Sequence, residues 1–209
     1  METKSIDRIY QELRSRICLG QYRSGDILYE TALGREFDVS RTPIRQVLQR
    51  LAMERLAVVR TGVGTLVLEP DRDSALRAVW VKAHMLSLVI DMNMLVHSTA
   101  FPADLAVARS HRAKLGKAPT PEALFRMLHT VQDITNGLIV DDLVSMADDM
   151  LFYRTAPRLI RRSVSAPQAL FAILDRQLAA AGQGESADHL PFLHAIKDSA
   201  DDLAALIAE

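Results

Sequence analysis

Several things are scarce in this chain of 209 residues, and each scarcity removes a class of protein. There is one cysteine, Cys18, so an internal disulfide and a thiolate metal cluster are both excluded. It stands between Ile17 and Leu19, the setting of a buried inert thiol. The longest mostly apolar run, around Met85 to Val96, is short for a membrane span and carries Asp91 and Asn93. The N-terminus lacks the hydrophobic core of a signal peptide, so a cytoplasmic protein is expected. Glycine-rich nucleotide loops and nucleophile elbows are missing, so no enzyme activity is expected.

There is also no excess of basic charge, since the net charge is -1. The charge is unevenly placed, however. Residues 1–70 carry 11 basic and 9 acidic side chains, a balance of +2; the remainder carries 14 and 17, a balance of -3. Arg41 to Arg60 holds five arginines against one acid, Glu54. A basic footprint this local suits a small nucleic-acid-binding module joined to something with another task.

The stretch at that footprint is SRTPIRQVLQRLAME, residues 40–54. Ser40 suits a helix cap, and Pro43 falls in the first turn, where a missing N–H costs nothing. Ile44, Val47, Leu48 and Leu51 form one apolar stripe. Arg41, Arg45 and Gln49 lie on another face, beside Thr42 and Gln46. Arginine reads guanine or grips phosphate, glutamine reads adenine, and threonine meets phosphate or a thymine methyl. This predicts the second helix of a helix-turn-helix. Ahead of it, Ser5 to Leu19 reads as an amphipathic helix stopped by Gly20, YRSGDIL as a turn, and 30–37 as a short helix. Asp38 and Val39 make the tight turn, at a place that often wants positive φ. Behind it, 56–60, a glycine loop at 61–64 and 65–68 read as strand, loop, strand. That hairpin is a wing, with Arg60, Thr61 and Gly62 at its tip.

From residue 71 the pattern is helical. A long helix is expected over 73–97, burying Leu76, Val79, Trp80, Ala83, Leu86 and Ile90, with Leu88, Val89 and Met92 on a second apolar face. Further helices are expected from Pro102 to about 113, from Pro121 to about 139 and from 141 to about 154. Pro157 and Pro167 each start another, residues 182–191 are a loop or a loose helix start, and His194 to Ala208 is the last helix. The fold class is therefore an N-terminal winged helix-turn-helix (residues 1–70) plus a C-terminal all-α helical bundle (71–209). Six methionines after residue 80 suit either core filling or an adaptable pocket.

The first 70 residues resemble the winged helix-turn-helix of GntR-family bacterial transcription regulators, most closely through VSRTPIRQVLQRLAMERL and the glycine wing. The resemblance implies DNA contact by Arg41, Thr42 and Arg45 and by Thr61 and Gly62 at the wing. Two departures stand out: Thr31 replaces a frequent DNA-touching basic residue, and Asp38 replaces the usual turn glycine. The order of helices after residue 71 resembles the effector-binding (FCD) domain of the FadR-like subgroup. That domain dimerises, holds a small molecule, and often binds a metal through one aspartate and three histidines. Its Asp-x-x-Phe-His pattern reads here as Glu122, Phe125 and Arg126. Arginine cannot ligate a metal, and Glu122 with His189 is too few, although His129 and His194, each near a lost ligand in sequence, could substitute. No metal or other cofactor is therefore expected. Arg126 could instead anchor an acidic effector, with Glu122, His129 and His189 nearby, or simply pair with Glu122. The expected partners are double-stranded operator DNA, a second copy of the chain and a small, acidic effector, with no membrane. A helical domain that only dimerises is the alternative.

Overall fold

The computed structural model describes residues 6–182 and 187–208. The chain divides into two compact units, Met1–Asp71 and Arg72–Glu209.

In the first unit, α1 (Ile6–Cys18) buries Ile9, Leu13 and Ile17. Gly20 ends it at φ 71°, and the Gln21 N–H returns to the Arg16 carbonyl. The short helix α2 (Glu30–Phe37) buries Leu33 and Phe37. Asp38 follows in the left-handed conformation, φ 57°, as the tight turn demands. Gly34 makes that turn possible, because a Cβ there would stand 3.0 Å from the Val39 carbonyl oxygen. Next, α3 (Arg41–Met53) buries Ile44, Val47, Leu48 and Leu51. Ser40 has the extended backbone of a cap, but its side chain accepts no capping hydrogen bond, contrary to the sequence reading. The wing is β2 (Ala57–Arg60) and β3 (Gly64–Val67), paired antiparallel from Ala57↔Val67 to Arg60↔Gly64. A strand not foreseen, β1 (Ile27–Leu28), lies on the other side of β3. Two residues are too few to show an alternating pattern.

The second unit contains α4 (Arg72–Asp91), α5 (Phe101–Lys114), α6 (Pro121–Gly137), α7 (Asp142–Ser165), α8 (Gln168–Ala180), α9 (His189–Asp198) and α10 (Ala200–Ala208). Three expectations fail. First, α4 stops at Asp91 rather than 97: Asn93 turns left-handed at φ 53°, and Leu95 bridges to Ile139. Second, α7 runs on through Pro157 instead of ending before it. The proline removes one helical hydrogen bond, at a cost of about 3 kcal/mol, but the buried Phe152, Ala156, Leu159 and Ile160 hold both halves on one line of packing. Third, the final helix is two, broken at Ser199, and the first begins at His189, where Asp188 accepts the Leu190 N–H at 2.9 Å. The buried face of α4 is also rotated. Ala75, Ala78, Val79, Ala83, Leu86 and Val89 are inside, while Trp80 is 41% exposed. A helix apolar on several sides gives no phase, and three small alanines let neighbouring helices approach that face.

Candidate nucleic-acid interface and the cavity of the helical unit

The stripe that buries one side of α3 leaves the other side to solvent. Arg41, Thr42, Arg45, Gln46 and Gln49 are all exposed, and so are Arg60, Thr61 and Gly62 at the wing tip. Thr31, on α2, is exposed and shares a surface depression with Arg35, Asp38 and Arg41. Arg35 is a basic neighbour of this surface that the sequence reading passed over; its place beside the turn was the available signal. Gly62, at φ 78°, takes a conformation few other residues tolerate.

Arg45 is held as well as exposed. Its Nε and Nη2 donate to Oε1 and Oε2 of Glu30, both at 2.8 Å. This hydrogen-bonded fork keeps the Glu30 carboxyl below its ordinary range. Arg50, one helical face away, is engaged elsewhere: it bonds Asp7 at 2.9 Å and lies 3.7 Å over the Tyr10 ring. It therefore belongs to the α1–α3 seam.

That seam contains a buried ion pair. Arg14, 1% exposed, places Nε 3.0 Å from Glu54, and the Tyr10 hydroxyl donates to the same carboxylate. Burial first, and the bond to Glu54 second, push the Tyr10 phenol far up. The arrangement fixes α1 against the far end of α3, so the reading face stands on a rigid support.

In the helical unit the four expected effector residues are not brought into the internal cavity. Glu122 and Arg126 stand on an exposed face of α6. His129 bonds Asp133 at 2.8 Å and packs against Phe125, Phe152 and Tyr153. His189 packs edge-on against His97 at 5.4 Å. Among the described residues no cluster of three or more His, Cys, Asp or Glu is placed to hold a metal. The ligand set implied by the FadR-like resemblance does not fit here.

The bundle nonetheless encloses a cavity of about 80 Å³. Apolar residues of α4, α6, α7, α8, α9 and α10 line it, among them Leu86, Val131, Phe152, Ile173 and Ile196. Lys82 and Gln132 supply a polar patch. Lys82 donates to Asp148 Oδ2 at 2.6 Å and to Gln132 Oε1 at 2.7 Å, and Gln132 Nε2 donates to the same Asp148 oxygen at 2.5 Å.

Comparison with known proteins agrees with this architecture. Residues 5–67 match the model of "Bacterial regulatory proteins, gntR family". The gluconate operon transcriptional repressors of Bacillus subtilis (strain 168) and Bacillus licheniformis are 47% and 51% identical to this chain over 49 residues. That match covers 23% of this chain and only 20% of either relative. The whole chain resembles two solved structures in fold. One is a protein described as a GntR transcriptional regulator from Rhodococcus sp. RHA1, with TM-score 0.69 and 16% identity over 97% of each chain. The other is E. coli McbR/YncC, with TM-score 0.65 and 18% identity over 97% of this chain and 96% of that one. The solvent-facing polar side of α3 and the wing beside it both lie within residues 5–67, the part of this chain that matches the gntR family of bacterial regulatory proteins.

Proposed function

We propose that the protein is a homodimeric transcriptional regulator that binds operator DNA through α3 and the wing and answers to a small molecule held in its helical unit. The observation that carries this is the division of α3. Its apolar stripe is fully used by the core, while Arg41, Thr42, Arg45, Gln46 and Gln49 are left to solvent with no task inside the fold except the Arg45 fork to Glu30. Two such helices, one from each copy, read half-sites one helical turn apart. Repression is the expected sign, and the gluconate operon repressors carry it in their name. The protein works where the DNA is, in the cytoplasm, and no helix among the described residues is long and apolar enough to cross a membrane.

The second copy has a surface to meet. Val81 and Leu88 are exposed on α4, with Met92 exposed just past its end, and Leu143 and Met146 are exposed on α7, which packs along α4. Side chains of this kind standing in water on neighbouring helices mark an interface. Seven helices in this order support a FadR-like, FCD-type reading of the unit. An acidic effector anchored by Arg126 loses its support, because Arg126 points away from the cavity's lining. A unit that only dimerises would have no use for a cavity with the Lys82 ammonium on its wall.

The test is selection of an operator from random duplex DNA, followed by binding titrations at several salt concentrations. A near-palindrome is expected, with affinity falling steeply as salt rises. Arg45→Ala should weaken operator binding roughly ten- to hundredfold and relax selectivity at one base of each half-site. Failure to enrich any sequence would overturn the proposal.

A further inference from the structure

We infer that the cavity of the helical unit binds a small, uncharged, mainly apolar molecule carrying a hydrogen-bond-accepting oxygen, and that it does so without a metal. This rests on the reading of the unit as a small-molecule sensor and names the class of molecule.

Size comes first. A cavity of about 80 Å³, at roughly 10–15 Å³ for each water-sized group, accommodates about five to eight non-hydrogen atoms. Its walls are almost wholly aliphatic and aromatic, so most of those atoms are carbon. The polar patch then sets the functional group. The Lys82 ammonium has three N–H donors, and two are taken by Gln132 and Asp148. One remains for an acceptor. Asp148 is fully buried and is not among the residues that line the cavity, so the Lys82 ammonium alone sets the group. A neutral oxygen, such as that of a hydroxyl, accepts its third hydrogen bond.

Charge excludes the obvious competitor. The formal charges of Lys82 and Asp148 cancel at 2.6 Å, so an anion entering the cavity would lose its hydration and meet no net positive charge. No other Lys, Arg or His lines the cavity. A metal-bridged carboxylate, the FadR-like arrangement, is unavailable for the same reason: the expected ligands lie elsewhere. Retention of the pair itself points the same way. A buried ion pair is at best break-even for stability against apolar residues of equal volume, so one placed on a cavity wall is better accounted for by recognition.

The test uses the full chain and three probes of nearly equal size, all within that limit: phenol, benzene and pentanoate. Binding is followed by thermal melting and by ligand-observed NMR, with and without a chelator. Phenol should raise the melting temperature and bind about tenfold or more tightly than either benzene or pentanoate, equally well with chelator present. Lys82→Met should remove the preference for phenol over benzene while benzene binding persists, which also shows that the variant has folded. Tighter binding of pentanoate than of phenol, loss of binding on chelation, or no binding of any probe would each overturn the inference. Phenol binding that leaves operator affinity unchanged would uphold the cavity assignment and overturn effector control instead.

Discussion

Each unit of this chain buries an ion pair, and the two pairs sit in opposite surroundings. In the winged unit, Arg14 and Glu54 are sealed between α1 and α3 with Tyr10 completing the contact. In the helical unit, Asp148 is equally buried, but its partner Lys82 keeps 19% of its side chain accessible and borders a cavity. The chemistry is the same and the roles differ. The sealed pair pins one helix against another and leaves nothing to offer a ligand. The pair at the cavity wall keeps spare hydrogen-bonding capacity facing space. Burial alone does not separate a structural charge from a recognising one; the neighbouring volume does.

The sharpest way to break this comparison is to remove one carboxylate from each pair. Glu54→Ala removes the carboxylate paired with the buried Arg14 guanidinium, and should cost about 3–5 kcal/mol in urea unfolding followed by far-UV circular dichroism. A double change, Arg14→Met with Glu54→Leu, should recover most of that loss, because an apolar pair of similar volume has no charge to desolvate. Asp148→Ala should cost less, about 1–3 kcal/mol, since water entering the cavity can solvate Lys82. Trp80, the single tryptophan, stands on α4 and reports unfolding of the helical unit separately. Equal costs for the two changes would mean that the cavity gives Lys82 no relief, and the contrast would be lost.

The two units also differ in how far their sequences disclose them. The α3 stripe at spacings of three and four, the left-handed turn at Asp38 and the glycine wing are all local patterns, and the structure carries each of them. Ile44 and Arg45 are neighbours whose opposite fates follow from helical geometry alone. The buried pairs leave no local trace. Tyr10 and Glu54 are 44 positions apart and Lys82 and Asp148 are 66 apart, and Arg14 in isolation looks like any surface arginine. The helical unit suffers most from this. Its cavity is assembled from six helices, none of which displays it, and a helix such as α4, apolar on several sides, gave the wrong phase for Trp80. The effector residues drawn from family spacing, Glu122 and Arg126, lie outside the cavity's lining, because that spacing does not say which face of α6 turns inward.

The winged unit's seal has a pH signature that sharpens the contrast further. Burial and the bond to Glu54 carry the Tyr10 phenol well above its ordinary 10.0. Between those two values the unfolded chain releases a proton that the folded one keeps, so stability is complete below pH 10 and declines as pH rises beyond it. Melting curves of the winged unit, followed by circular dichroism, should shift downward from about pH 10. Tyr10→Phe should flatten that decline while lowering stability at neutral pH, because Glu54 loses a donor. A decline of the same steepness in Tyr10→Phe would assign the alkaline loss to another group.

A third pair, Glu30 with Arg45, extends the comparison to the protein surface, where the expected effect on stability is smallest. The fork lies in water, so Glu30→Gln should leave the melting temperature unchanged. Its consequence belongs to recognition. The fork occupies Nε–H and one N–H of Nη2, which leaves three N–H donors on the outer edge of the guanidinium. That edge is the one that meets guanine O6 and N7. Glu30 thus fixes the plane in which Arg45 is presented and lowers the number of geometries it samples. Loss of the carboxylate should reduce selectivity for the selected operator over random duplex by about three- to tenfold, while binding to random DNA strengthens slightly because a negative charge near the phosphates is gone. A variant that gained affinity for operator and random DNA alike, with selectivity intact, would show that Glu30 only competes with the duplex for Arg45. The exposed pair would then be a screen over the reading face rather than a guide for it.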